Sequence, residues 1–223
     1  MALGFGDFNG GAKKSEVVYM KLAEGQNTFR ILPKSLLPSY QFWVKGANGK
    51  ELPFEALQFD RDSEKFVNSR SCPIRDLGLK DPKDPSKDLR CSYAYKCLVL
   101  NKATGRVEVL TLKKGLVEDI KSVASQMGID PTDPDTGTWF TVVRKKTGPL
   151  AFNVEYSVQQ LMCKSTPLSA EDRALVEASK SIDDMFPLET YDAQLARLQK
   201  HLQGNGAASS TEGVDDEAIS ELG

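Results

Sequence analysis

Cationic and aromatic residues crowd one short stretch of this chain, where Arg90, Tyr93, Tyr95 and Lys96 lie within seven residues. The chemistry open to such a set is contact with an unpaired polynucleotide. Flat rings stack on bases at about 1–3 kcal/mol each, while nearby fixed charges neutralise phosphates. Every base has a π face, so this contact tolerates any sequence. Further members are Trp43, which sits beside Phe42 and just before Lys45, and the pair Lys113 and Lys114. Arg144, Lys145 and Lys146 follow Trp139 and Phe140, and Phe152 and Tyr156 come next. Rings at alternate strand positions are also what a core uses, and an aromatic content of 8% is no enrichment. Phe29, Phe54 and Phe66 are therefore assigned to the core. Tyr93 and Tyr95 are assigned to base contact, because Arg90 and Lys96 flank them and a tyrosine hydroxyl is best placed at a wet surface.

Other chemistries have less to stand on. Asp60, Asp62 and Glu64 are spaced like carboxylates that gather a metal ion in a nuclease. Arg61 and Lys65 interrupt them, however, as in a solvated charged loop. No phosphate-cradling glycine loop, zinc-protease helix motif or nucleophile elbow occurs, so the expectation is a non-enzymatic protein. The one histidine, His201, lies beside the C-terminal tail, away from any such constellation. Cys72, Cys91 and Cys97 are separated by nineteen and six positions. A structural zinc site usually brings two thiolates together from a C-x(2–4)-C knuckle. The position that would complete one after Cys72 is Arg75, so no metal and no cofactor are expected.

These residues need a framework, and the chain supplies signals for one. The runs VVYMKL from Val17, TFRIL from Thr28 and YQFWV from Tyr40 are rich in β-branched and aromatic residues and are separated by turn formers, as strands are. Ala94 to Leu100 and Arg106 to Leu112, joined by a five-residue loop ending in Gly105, predict a hairpin. In its second arm Val107 and Val109 alternate with Arg106 and Glu108, which predicts a solvent-facing Glu108. Leu116, Ile120, Val123 and Met127, with Gly128 as a stop, predict an amphipathic helix over Gly115 to Met127. A second hairpin is predicted from Thr138 to Arg144 and Leu150 to Tyr156 across a basic turn. Beyond Ser165 the pattern becomes helical, with Ser169 and Thr190 as caps. The fold class expected is mainly β with helical additions, built on an OB-like, partly open antiparallel five-stranded barrel.

The chain of 223 residues has a formal net charge of -2, but the charge is unevenly distributed. Residues 1–160 hold 24 Lys and Arg against 19 Asp and Glu, whereas residues 161–223 hold 5 against 12. A basic body with an acidic tail is the expected polyanion-binding arrangement. The division expected is a flexible glycine-rich arm over 1–16 and a binding core over 17–165 with a polar excursion near 60–90. A helical appendage over 166–203 and a disordered acidic tail over 204–223 follow. No apolar run approaches a membrane span, and the N-terminus lacks the basic-then-apolar pattern of a secretory signal. A cytoplasmic protein with reduced thiols and no membrane partner is expected.

Phe29-Arg30-Ile31-Leu32-Pro33, Ser71-Cys72-Pro73, Ser92-Tyr93 followed by Leu98-Val99-Leu100, and the acidic tail occur in an order that resembles the helix-destabilising single-stranded-DNA-binding proteins of T-even and related tailed phages. The resemblance spans residues 17–200. It implies an OB-fold core that coats single-stranded DNA in the host cytoplasm during replication and recombination, and a tail that docks other replication proteins. It also implies that Arg90 and Tyr93 lie in the DNA cleft, with Arg144 to Lys146, Phe152 and Tyr156 on its closing hairpin. Lys13-Lys14-Ser15 only faintly matches the family's basic self-association motif. The zinc ligands are a departure: Arg75 stands where a second cysteine would. The alternative is a protein-interaction adaptor of the replication machinery that binds no DNA and works through the helices around 169–202.

Overall fold

The computed structural model describes residues 17–149, 153–159 and 164–204. The expected N-terminal arm, Phe152 and residues 205–223 of the acidic tail lie outside them. In chain order the elements are β1 (Gly25–Ile31), β2 (Leu37–Lys45), β3 (Glu51–Glu55), β4 (Phe59–Asp60), β5 (Lys65–Phe66), α1 (Pro73–Asp76), β6 (Lys80–Asp81) and β7 (Asp84–Asp88). They continue with β8 (Cys91–Asn101), β9 (Arg106–Lys113), α2 (Lys114–Met127), β10 (Thr138–Lys146), β11 (Val154–Val158) and β12 (Lys164–Ser165). Three helices close the series: α3 (Ala170–Ala178), α4 (Ile182–Met185) and α5 (Tyr191–Leu202).

The protein is mainly β with a few helices, arranged around one large antiparallel sheet. Eight of the described strands belong to that sheet, along the order β11-β10-β1-β8-β2-β3, with β9 beside β8 and β12 beside β10. Its ends, β11 and β3, are not paired with each other, so the sheet stays open among the described residues. β8 is the axis. β9 runs along one edge from Ala94↔Lys113 to Asn101↔Arg106. Along the other edge β1 and β2 lie end to end, from Phe29↔Asn101 to Phe42↔Cys91, interrupted where residues 32–36 leave the ladder. The β8–β9 hairpin closes through Gly105 at φ 64, a left-handed conformation that glycine adopts without a Cβ clash.

Period and capping explain the helices. α2 buries Leu116, Val117, Ile120 and Val123 on the stripe set by their spacing, and Gly128 ends it at φ 66. Those side chains cover Tyr95, Cys97 and Val99 of β8, Leu110 and Leu112 of β9, Phe29 and Ile31 of β1, and Phe140 and Val142 of β10. Each such aliphatic burial contributes roughly 1.5–3 kcal/mol. The Ser169 hydroxyl accepts from Asp172 N at 3.1 Å, and Thr190 Oγ1 accepts from Ala193 N at 3.3 Å, so both expected caps form.

Several expectations change. The run from Val17 makes no strand; only Tyr19 bridges Val109, in parallel, with Val109 N donating to Val18 O at 2.8 Å. Residues 59–88 form two short hairpins, β4–β5 and β6–β7, around the single turn α1. The C-terminal helices are built into the body: Leu198 is fully buried with Phe42, Phe54 and Ile74, and Ile182 and Leu168 lie under Leu98 and Leu100. His201, expected beside a tail, is buried and its Nε2 lies 2.8 Å from Val44 O. Glu108 is 6% exposed, because it folds back onto its own hairpin and accepts from Asn101 Nδ2 and Thr104 Oγ1, both at 2.8 Å. Phe66, assigned to the core, is 43% exposed.

Candidate nucleic-acid interface

Alternation along β8 decides where its expected binding residues go. Tyr93, Tyr95, Cys97 and Val99 share one face, and that face is the one α2 covers. The helix shelters the strand increasingly toward its C-terminal half. Tyr95 is 7% exposed and belongs to the core under α2, while Tyr93, two residues nearer the strand start, is half-buried at the border of two clusters. The expectation that both rings lie open for stacking therefore does not hold for Tyr95 in this conformation. Its hydroxyl is the part that reaches out.

Lys96, on the opposite face, turns inward. Its Nζ is 2.8 Å from Glu55 Oε1 and stands 4.7 Å from the Phe186 ring centre, with the side chain 11% exposed. It is held in an internal ion pair that keeps it from solvent phosphate. The pull comes from Glu55, which also accepts from Arg61 Nη2 at 2.9 Å. Burial alone would raise the Glu55 pKa, but the charges of Lys96 and Arg61 and their hydrogen bonds outweigh it and hold the carboxyl below its usual range.

Tyr93 opens onto a ring cluster that reaches the surface. Tyr40 lies 4.6 Å from Tyr93 and 4.8 Å from both Phe59 and Phe66, and Tyr93 lies 4.9 Å from Tyr95. Phe66 is the exposed end. Across this cluster the β4–β5 turn lays Glu64, whose Oε2 accepts from Tyr93 Oη at 2.6 Å and from Tyr95 Oη at 2.9 Å. The Tyr93 hydrogen bond, opposed by burial and joined by that of Tyr95 and by the charges of Lys121 and Lys114, lowers the Glu64 pKa. Burial and the same carboxylate push the Tyr93 phenol up. Lys121 Nζ stands 5.5 Å from the Tyr95 ring centre. Lys114 is exposed on the first turn of α2, 3.8 Å from Glu118, and Lys113 precedes it as the half-buried N-cap residue.

The remaining expected residues fall elsewhere. Arg90 is exposed just before β8. Trp43 lies on β2 opposite Pro53, with its indole Nε1 buried and without a hydrogen-bond partner among the described residues. Arg144 faces Tyr156 across β10–β11, Tyr156 packs against the core under α2, and Lys145 and Lys146 are exposed beside them. Among the carboxylates spaced like metal ligands, Asp60 accepts from Ser63 N and Oγ, both at 2.9 Å, and from Arg70 Nη2 at 2.7 Å; led by the Ser63 backbone bond, these lower its pKa to about 2. Among the described residues no three His, Cys, Asp or Glu side chains gather as a metal site would require. Cys72 and Cys97 are fully buried, and burial pushes the Cys97 thiol up. No helix among the described residues is long and apolar enough to cross a membrane.

Sequence reasoning missed Tyr40, Phe66, Lys121 and the role of Glu64. One signal was present: Lys121 follows Lys114 by seven positions, which puts both on one helical stripe. The contact of Glu64 with Tyr93, 29 residues away, had none. No family model matches the chain. In an alignment of 265 positions that covers all of this chain and 99% of its relative, the sequence is 25% identical to the probable ssDNA-binding protein of Escherichia phage T5.

Proposed function

We propose that this protein is a non-enzymatic, sequence-tolerant binder of single-stranded DNA that acts in phage DNA replication and recombination in the host cytoplasm. The observation that carries the reading is the ring cluster of Tyr40, Tyr93 and exposed Phe66, bordered by Lys114 and Lys121 of α2. Full-length similarity to a protein named as a probable ssDNA-binding protein supports it, as does the resemblance to the helix-destabilising phage proteins. Unstacked bases lie on rings at this surface, and cations there and along Arg90 and Arg144 to Lys146 take the phosphates with release of counterions. A duplex, whose bases are already stacked, competes poorly.

Binding to labelled oligo-dT falls as NaCl rises, with a log–log slope of about −0.7 per phosphate neutralised. Phe66→Ala weakens it by at least about fivefold, the equivalent of one stacked base. Thr111→Ala, on the exposed side of β9, leaves it unchanged. A flat salt response, equal competition by duplex, or equal effects of the two substitutions would remove the proposal.

The functional division follows from the same reading. Residues 17–165 bind the strand, the helices of 166–203 brace them, and the acidic tail from 204 to 223, with Glu212, Asp215, Asp216, Glu217 and Glu221, recruits basic surfaces of replication and recombination proteins. Removing residues 205–223 raises DNA affinity at low salt and abolishes partner capture in pull-down assays. A truncated chain that behaves like the full one in both assays reduces the tail to a solubilising segment.

A further inference from the structure

We propose that the hydroxyls of Tyr93 and Tyr95, together with the ammonium groups of Lys114 and Lys121, form a subsite for one backbone phosphate, and that Glu64 occupies it in the free protein. This inference rests on the single-stranded-DNA reading above.

Two phenol hydroxyls from positions i and i+2 of β8 converge on one carboxylate oxygen, at 2.6 and 2.9 Å. Donors meeting at one anionic oxygen are what a phosphate oxygen also requires, since both are acceptor-only groups of the same charge sign. Two cations complete the site: Lys121 stands against the Tyr95 ring, and the charges of Lys114 and Lys121 act on the Glu64 carboxylate. The rings are held from behind, Tyr95 by the core under α2 and Tyr93 by Tyr40 and Phe59. The donors are therefore fixed while the acceptor is not.

Glu64 is attached differently. It ends the turn of residues 61–64, exposed from Asp62 onward, that joins two strands of two residues each, and its backbone φ of 50 lies in the left-handed region, which disfavours a side chain. Asp60 ties the base of the turn to Ser63 and Arg70, so the Glu64 carboxylate can leave without disturbing the sheet. Phe66, on the same hairpin, presents its exposed ring against Tyr40, which packs on Tyr93 of the subsite. A strand that seats a phosphate on the two hydroxyls thus meets a ring for the neighbouring base, and must first displace a resident anion. Glu64 sets a threshold that an isolated anion passes less readily than a polyanion backed by several phosphates.

The test measures affinity of the full chain for fluorescein-labelled oligo-dT at two NaCl concentrations, for wild type, Glu64→Gln, Asp62→Asn and Tyr93→Phe in the Glu64→Gln background. Asp62 is exposed in the same turn and controls for loss of one negative charge. Glu64→Gln raises affinity about three- to tenfold at the lower salt, Asp62→Asn changes it less than about twofold, and adding Tyr93→Phe, which keeps the ring and deletes the hydroxyl, reverses the gain. Equal effects of Glu64→Gln and Asp62→Asn overturn the proposal, as does a fall in affinity for Glu64→Gln or an unaffected gain in the double variant. A wild-type chain that binds no oligo-dT at either salt removes the functional reading itself, and the subsite with it.

Discussion

Exchanging Glu55 for glutamine lowers the free energy of unfolding by about 3 kcal/mol, the cost of leaving buried charges without their counter-ion. Glu55 ends β3 with its side chain 19% exposed and faces two cations that are also mostly shielded, Lys96 at 11% and Arg61 at 15%. Ser39 Oγ donates to the same carboxylate at 3.1 Å. Arg61 continues to Phe186 O at 2.8 Å, and Lys96 stands over the Phe186 ring, so one carboxylate joins β2, β3, β8, the β4–β5 turn and the end of α4. Glutamine can accept some of these bonds but cancels neither charge. The pH dependence has a defined sign. The folded-state pKa of Glu55 lies below the ordinary 4.5, so its contribution is fully present above that value and is lost as pH falls through the folded pKa. Urea unfolding midpoints measured between about pH 7 and pH 3 fall more steeply for wild type than for Glu55→Gln at the acid end. Parallel curves, or a variant as stable as wild type at neutral pH, contradict the role given to this carboxylate.

Leu198→Ala costs about 3 kcal/mol and lowers the whole molecule's stability in one transition, because the cavity it leaves lies between a helix and the sheet. α5 docks through positions 194, 198 and 201, one stripe of the helix. Gln194 Nε2 donates to Glu55 O at 2.9 Å, Leu198 is fully buried, and His201 reaches Val44 O. The fit leaves no slack at Gly46, where an added Cβ would stand 2.5 Å from His201 Cε1. Tryptophan emission, from Trp43 on β2 and Trp139 on β10, and helical circular dichroism shift together in the variant. Separate transitions for the two probes, or a loss below about 1 kcal/mol, would mean that α5 is an appendage to the sheet, as its sequence position suggests.

Elements held by neighbours in the chain are legible in the sequence. The β8–β9 hairpin, α2 with its glycine stop, and the Ser169 and Thr190 caps depend on hydrogen bonds and side-chain periods within a few residues. The candidate site was half legible. The alternation of Tyr93 and Tyr95 put them on one face but carried no information on what covers that face. Glu108 shows the same limit: its alternation with Val107 and Val109 predicted solvent, and two polar partners within the hairpin drew it inside.

By itself, then, the sequence determined a mainly β chain with a basic body, an acidic end, and tyrosines and cations side by side on one strand, since composition and short-range periodicity are properties of the chain alone. The tertiary structure decided which of those groups face a ligand. Lys96 is withdrawn by Glu55 from 41 residues away, Tyr95 is roofed by α2, and one upstream hairpin delivers Glu64 to Tyr93, 29 residues away, and Phe66 to Tyr40. Such contacts arise from the burial of apolar clusters, and burial is set by the packing of distant segments, which no local pattern encodes.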